Sequence, residues 1–206
     1  MTKIRIFVAD DHALVRMGLV TLLKMERDFD VVGEAEDGQA TVRKVLKLKP
    51  DIVIMDLMMP GMDGIEATQQ LHSSLPSART LILTTSSSST DIANALQAGA
   101  AGAILKSAAN ADLLSAIRAI ARGEHYVSPG IRDLLSEDPP IPTLTDRQRE
   151  ILQSIIRGLT NPDIAVQFGI SLASVKDHIN LIFQKLGAAN RAEAVAIALR
   201  KHLLKI

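Results

Sequence analysis

The first 122 residues alternate between five short apolar runs and segments of helical period, and this constrains the fold more than any other feature. The runs fall at 4–9, 31–35, 51–55, 80–84 and 102–105. Each is four to six residues, mostly β-branched or aliphatic and too short for a buried helix, and suits a strand covered on both faces. Apolar spacing predicts helices near 12–25, 38–48, 64–73, 90–98 and 110–122. Five βα repeats imply an α/β fold, a five-stranded, doubly wound, flavodoxin-like parallel sheet with right-handed crossovers. Ligands of such sheets bind beyond the carboxyl ends of the strands, where the strand order reverses.

After this region the character changes. The stretch 123–142 holds Gly123, Pro129, Gly130, Pro139, Pro140 and Pro142, and reads as a linker with one possible helical turn at 131–136. From Thr143 the chain is helical. Thr145-Asp146-Arg147-Gln148 and Asn190-Arg191-Ala192-Glu193 have capping-box spacing, Asn161-Pro162 reads as an N-cap followed by a first-turn proline, and Gly169 and Gly187 end helices. Four short helices are expected near 146–157, 161–167, 171–186 and 190–203, so a small all-α domain with a helix-turn-helix candidate at 161–186 follows the sheet. The expected division is 1–122, 123–142 and 143–206.

Composition narrows the function classes. Only 2% of residues are aromatic against 47% hydrophobic, so the cores are aliphatic. The absence of Cys excludes disulfides and thiolate metal sites. No apolar run reaches the ~18 residues of a membrane span, and the start lacks the apolar stretch of a signal peptide, so a cytoplasmic protein without a membrane partner is expected. A net charge of zero conceals an asymmetry: 14 Lys and Arg against 18 Asp and Glu through Pro142, then 9 against 5 in the remaining 64 residues. The basic end is the candidate for nucleic acid.

Asp10 and Asp11 directly follow the first expected strand, and Asp56 follows the third. In a doubly wound sheet those strands are neighbours, so three carboxylates converge and repel one another unless a cation joins them. Oxygen ligands with no His or Cys expected beside them suit Mg²⁺. Thr84 and Lys106 end the fourth and fifth strands. A lysine offers a point charge and a threonine a hydroxyl to phosphoryl oxygens, so the set fits Asp56 as a nucleophile that forms an acyl phosphate.

Asp10-Asp11, Asp56-Leu57-Met58-Met59-Pro60-Gly61-Met62-Asp63-Gly64, Leu83-Thr84 and Gly99-Ala100 through Gly102 to Lys106 resemble the receiver domain of two-component response regulators over residues 1–122. The resemblance implies Asp56 as phosphoacceptor and Asp10 and Asp11 as Mg²⁺ carboxylates, with the Met58 backbone carbonyl as a further ligand. It implies Thr84 and Lys106 as the pair that senses the phosphoryl group, and a sensor histidine kinase as partner. One departure is Ala103, where such receivers usually carry Tyr or Phe. The Ser86–Ser89 run is also unusual, and is read as a solvated helix start in preference to a mobile loop.

In the last part, Val175, Ile179, Ile182 and Leu186 share one helical face and are expected to pack inward. Ala173, Lys176, Asp177, Asn180 and Gln184 face the other way; amides suit adenine, and lysine suits guanine or phosphate. Leu144-Thr145, Arg147, Glu150-Ile151-Leu152, Gly158-Leu159, Asn161, Ile164-Ala165, Ser171, Ser174-Val175-Lys176, His178, Lys185-Leu186-Gly187 and Asn190-Arg191 resemble the LuxR-type DNA-binding domain over 143–206. Joined to a receiver, this resembles a response regulator of the NarL/FixJ class. The resemblance implies a phosphorylation-controlled transcription factor, not an enzyme, that binds double-stranded promoter DNA as a homodimer. Its expected DNA face is Ser171, Ser174, Lys176, Asp177, Asn180 and Gln184, and its expected dimer seam is Ala194, Val195, Ala198 and Leu199. Packing within the same domain is the other reading of that seam. Two rival functions are a phosphorylation-independent receiver, suggested by Ala103 and the Ser86–Ser89 run, and an aspartyl-phosphate phosphatase. The phosphatase needs a general acid at position 58, where Met58 stands.

Overall fold

A computed structural model of the chain describes residues 3–85, 88–140, 144–201 and 203. It divides into two compact units, Met1–Pro139 and Pro140–Ile206. The first contains β1 (Ile4–Ala9), α1 (Ala13–Lys24), β2 (Phe29–Ala35), α2 (Gly38–Leu48), β3 (Ile52–Met55), α3 (Gly64–Ser74), β4 (Arg79–Thr84), α4 (Ser89–Gln97), β5 (Gly102–Leu105), α5 (Asn110–Ala121), β6 (Tyr126–Val127) and α6 (Pro129–Glu137). The sheet order is β2-β1-β3-β4-β5-β6, and every pair is parallel.

Side-chain alternation along these strands builds a core on each face. Phe7, Ala9, Val53, Met55, Ile82 and Ala103 join Val45, Leu71, Ile92 and Ile131 of the helices α2, α3, α4 and α6. Ile6, Val8, Ile52, Ile54, Leu81 and Ile104 join Leu23 of α1 and Leu113, Ile117 and Ile120 of α5. Strands buried on both faces therefore read as continuous apolar runs, which is why they are visible in the sequence.

The sheet has six strands where five are expected. β6 pairs Tyr126 with Gly102 and Val127 with Ala103, and α6 is a full helix, not one turn. The stretch read as linker thus belongs to the first unit as far as Pro139. Two strand residues are too few to show a period, and the prolines framing α6 disguise the spacing of Ile131, Leu134 and Leu135.

The second unit contains α7 (Asp146–Ile156), α8 (Asn161–Phe168), α9 (Leu172–Leu186) and α10 (Arg191–Arg200) around an aliphatic core. Val175, Ile179, Ile182 and Leu186 all point into that core, as expected. Thr145 and Gln148 form the expected capping box. The cap of α8 is one residue earlier than expected: Thr160, not Asn161, makes a reciprocal box with Asp163, leaving Pro162 within the first turn. At α10 the Asn190 side chain accepts from the Glu193 amide (2.9 Å), while Glu193 accepts from the Ala189 amide (2.8 Å) instead of closing the box. Gly169 (φ 61°) and Gly187 (φ 66°) end their helices in the left-handed conformation that glycine adopts without strain.

Candidate functional site

Ladder hydrogen bonds continue one residue past the strands and fix the polar groups there. The Asp10 amide donates to Ala35 O (3.2 Å), the Asp56 amide to Ala9 O (2.9 Å) and the Lys106 amide to Thr84 O (2.8 Å). Three residues from distant parts of the sequence are thereby held at one end of the sheet. A Cβ at Gly64 would stand 2.0 Å from the Asp56 carbonyl oxygen. Only glycine lets the start of α3 approach the Asp56 backbone so closely.

The side chains converge. Lys106 Nζ donates to Asp56 Oδ2 at 2.7 Å and lies 2.7 Å from Asp10 Oδ2. Both carboxylates are almost fully buried, with Asp10 1% and Asp56 2% exposed. Burial pushes the Asp56 carboxyl above its ordinary range, and the Asp10 charge adds to this; the hydrogen bond and charge of Lys106 only partly oppose it. For Lys106, burial disfavours the ammonium, but its hydrogen bonds to Asp10 and Asp56 outweigh this and raise its pKa. The other Asp56 oxygen, Oδ1, is buried and has no hydrogen-bond partner among the described residues. An anionic oxygen left in that state is costly, so it marks a place for a cation.

Ligand atoms of Asp10, Asp11, His12 and Asp56 all lie within 4.8 Å of one another. His12 corrects the expectation that no histidine stands beside the carboxylates; it was hidden as the residue that opens α1. Its Nδ1 lies 2.7 Å from Asp11 Oδ1, and its amide donates to Asp10 Oδ1 (2.8 Å). Arg16, also missed, donates to the Asp10 carbonyl at 2.5 Å from the first turns of α1. Three hard carboxylates around an orphaned buried oxygen fit Mg²⁺, which prefers oxygen ligands and retains water.

Thr84 is fully buried as the last residue of β4. The Met58 side chain is exposed in the loop after Asp56. Of the Ser86–Ser89 run, Ser86 and Ser87 lie outside the described residues. Ser88 caps α4 by accepting from the Asp91 amide (3.2 Å), and Ser88 and Ser89 are buried, not solvated.

On the second unit, Ser171, Lys176, Asp177, Asn180 and Gln184 are exposed along α9, and Ser174 is partly exposed. Ser171 Oγ caps the helix by accepting from the Ser174 amide (3.0 Å) and lies 2.9 Å from Ser174 Oγ. Other residues of the motif hold the fold together. Arg147 lies over the Phe168 ring (4.2 Å) and donates to the Phe168 carbonyl (3.2 Å), joining α7 to α8. Arg191 donates to the Ile155 (3.3 Å) and Leu159 carbonyls, joining α10 to the end of α7. The expected dimer seam needs correction. Ala194 and Ala198 are buried in this unit's own core, and only Val195 and Leu199 keep accessible surface. Helical spacing identifies an apolar face but not what covers it.

The comparisons with known proteins agree with this geometry. The response regulator receiver domain matches residues 6–118, and the domain of bacterial regulatory proteins of the luxR family matches residues 142–198. The chain belongs to the response regulators. Transcriptional regulatory protein LiaR of Bacillus subtilis is 37% identical over 209 residues, spanning 98% of this chain and 99% of that protein. Response regulator protein VraR of Staphylococcus aureus is 35% identical, spanning 98% and 99%. Among solved structures, response regulator ChrA of a heme-sensing two-component system is similar with a TM-score of 0.60 and 37% identity, covering 99% of this chain and 100% of that one. An RcsB–DNA complex is similar with a TM-score of 0.70 and 26% identity, covering 97% and 99%. The protein is accordingly a transcriptional regulator with a receiver and a LuxR-type helix-turn-helix domain, and the phosphatase reading is set aside. No helix among the described residues is long and apolar enough to cross a membrane.

Proposed function

We propose that this protein accepts a phosphoryl group on Asp56 from a sensor histidine kinase and thereby controls promoter binding by its second unit. The observation that carries this reading is the buried Asp56 carboxylate, with Oδ2 on Lys106 and Oδ1 left without a partner among the described residues. An Asp56 oxygen attacks phosphorus, the bond from phosphorus to the donor's histidine nitrogen breaks, and that nitrogen keeps the electron pair. The product is an acyl phosphate carrying roughly 1.5–2 negative charges. Lys106 moves from the carboxylate to a phosphoryl oxygen, and the Thr84 hydroxyl donates to another. Asp10, Asp11, Asp56 and the Met58 carbonyl would hold Mg²⁺. Bound there, Mg²⁺ supplies positive charge that lowers the repulsion between the carboxylates and the incoming phosphoryl group.

The DNA-binding face is α9, with Ser171, Ser174, Lys176, Asp177, Asn180 and Gln184 toward the major groove. The similarity to RcsB, solved as two dimers bound to two parallel DNAs, supports promoter DNA and a second copy of this chain as partners. Of the expected seam, Val195 and Leu199 are the residues accessible to a second copy. The working domain division takes the receiver to Pro139, with the helix-turn-helix domain after it.

Incubation of the full chain with acetyl phosphate and Mg²⁺, followed by peptide mapping, tests the reading. One phosphoryl group should map to the peptide containing Asp56 and disappear when the metal is chelated. Labelling at another residue, or none with Mg²⁺ present, contradicts it.

A further inference from the structure

The segment after α5 is tied to β5 and to the start of α4. β6 lies beside β5, and the Ser128 amide donates to the Ala103 carbonyl at 3.0 Å. α6 then packs on the same face of the sheet as α4. Its Ile131 is fully buried in one cluster with Ala103, Ile92 and Ala95. Ala103 is itself fully buried, and its small side chain leaves room for the helix.

The far end of α6 is held by a second bond. Ser89 Oγ, on a fully buried residue in the first turn of α4, donates to Asp138 Oδ2 at 3.0 Å. Asp138 is the C-cap of α6, and Pro139 and Pro140 follow it into the second unit. Consecutive prolines restrict the backbone directly after α6. Between Thr84 and Thr85 on one side and Asp133, Leu134 and Glu137 on the other lies a cavity of about 370 Å³. Close-packed interiors resist displacement, and this cleft leaves α6 room to move on that side.

We propose that α6 is the output lever of the receiver: the Ser89–Asp138 hydrogen bond locks it to α4, and movement of α4 breaks that lock and frees the end of α6. The trigger rests on the reading of Asp56 as phosphoacceptor and Thr84 as its sensor; the lock itself does not.

Hydrogen exchange on the full chain tests both parts. Without phosphodonor, Asp138→Ala should speed exchange about tenfold in 129–138 and in the first turn of α4, the scale of one lost hydrogen bond. Ser89→Ala should do the same, while Asp138→Asn, which keeps an acceptor, should stay near wild type. Unchanged exchange in both alanine variants overturns the lock. With trifluoroberyllate and Mg²⁺, wild-type α6 should loosen to the same extent, and Asp138→Ala should loosen no further. Altered exchange around Asp56 with α6 unmoved overturns the lever and leaves the phosphoacceptor reading standing. No change around Asp56 overturns that reading, and the trigger with it.

Discussion

Asp56→Asn is expected to abolish phosphoryl labelling and, at neutral pH, to make the folded protein more stable than wild type. The first effect follows from removing the nucleophile, because an amide does not form an acyl phosphate. The second follows from the raised pKa of the Asp56 carboxyl, whose main cause is burial. A raised value means that the folded state holds the proton more tightly than the unfolded state. The stability this gives is fully present below the ordinary value of 3.8 and lost as pH rises through the folded value. Once the folded-state carboxyl has ionised, wild type has lost it, whereas asparagine never ionises. The gap between the variants should therefore close as pH falls through the Asp56 titration. Lys106 does not confuse this window, because its own contribution is present below 10.5 and lost only above that. It also keeps Asp10 as an ion-pair partner at 2.7 Å. Chemical denaturation of both proteins across the acid range checks the sign; a variant less stable than wild type at neutral pH would refute it.

Lys106→Met should be the most damaging single change at the site. The methionine fills most of the lysine volume, so packing is largely kept, but two buried carboxylates lose the cation they share. Removing one partner of a buried charge pair costs about 3–5 kcal/mol, chiefly because the remaining charge is stranded. Here two charges of the same sign are stranded together. The variant should therefore recover stability in acid, where a carboxylate protonates, and in the presence of Mg²⁺, which restores positive charge between them. Its labelling by acetyl phosphate should fall steeply. Urea midpoints with and without Mg²⁺ give the measurement. A variant as stable as wild type and indifferent to Mg²⁺ would mean that Lys106 does not balance this site.

Much of this site was legible because of topology. Asp10, Asp56, Thr84 and Lys106 each stand at or one residue past the end of an apolar run, and a parallel sheet brings all such ends to one side. The strands themselves were visible because both faces are buried, as the split of Val53 and Met55 from Ile52 and Ile54 illustrates. Local pattern was insufficient where the deciding contact is tertiary. Tyr126–Val127 becomes a strand only through its pairing with β5. Ala194 and Ala198 have the spacing of a seam but are covered by their own domain. Thr160 outcompetes Asn161 as a cap because Asp163 answers it, and the Thr160-x-x-Asp163 spacing already carries that signal in the sequence. His12 joined the acidic cluster because the turn into α1 folds back on Asp10, with the His12 amide on Asp10 Oδ1.

Ala103 is the sharpest departure from the receiver pattern, and the structure gives it a physical setting: a fully buried small residue on the strand that β6 extends and α6 covers. A bulky side chain there would overpack the core beneath α6, at a cost of about 1–3 kcal/mol.

The claim that ties the two units together is that the charge on Asp56 governs DNA binding. Footprinting across the source genome with the full chain, with and without acetyl phosphate and Mg²⁺, tests it in wild type and Asp56→Asn. Sites should gain occupancy with phosphodonor in wild type only. Equal occupancy in both proteins, with phosphodonor present, would contradict the account.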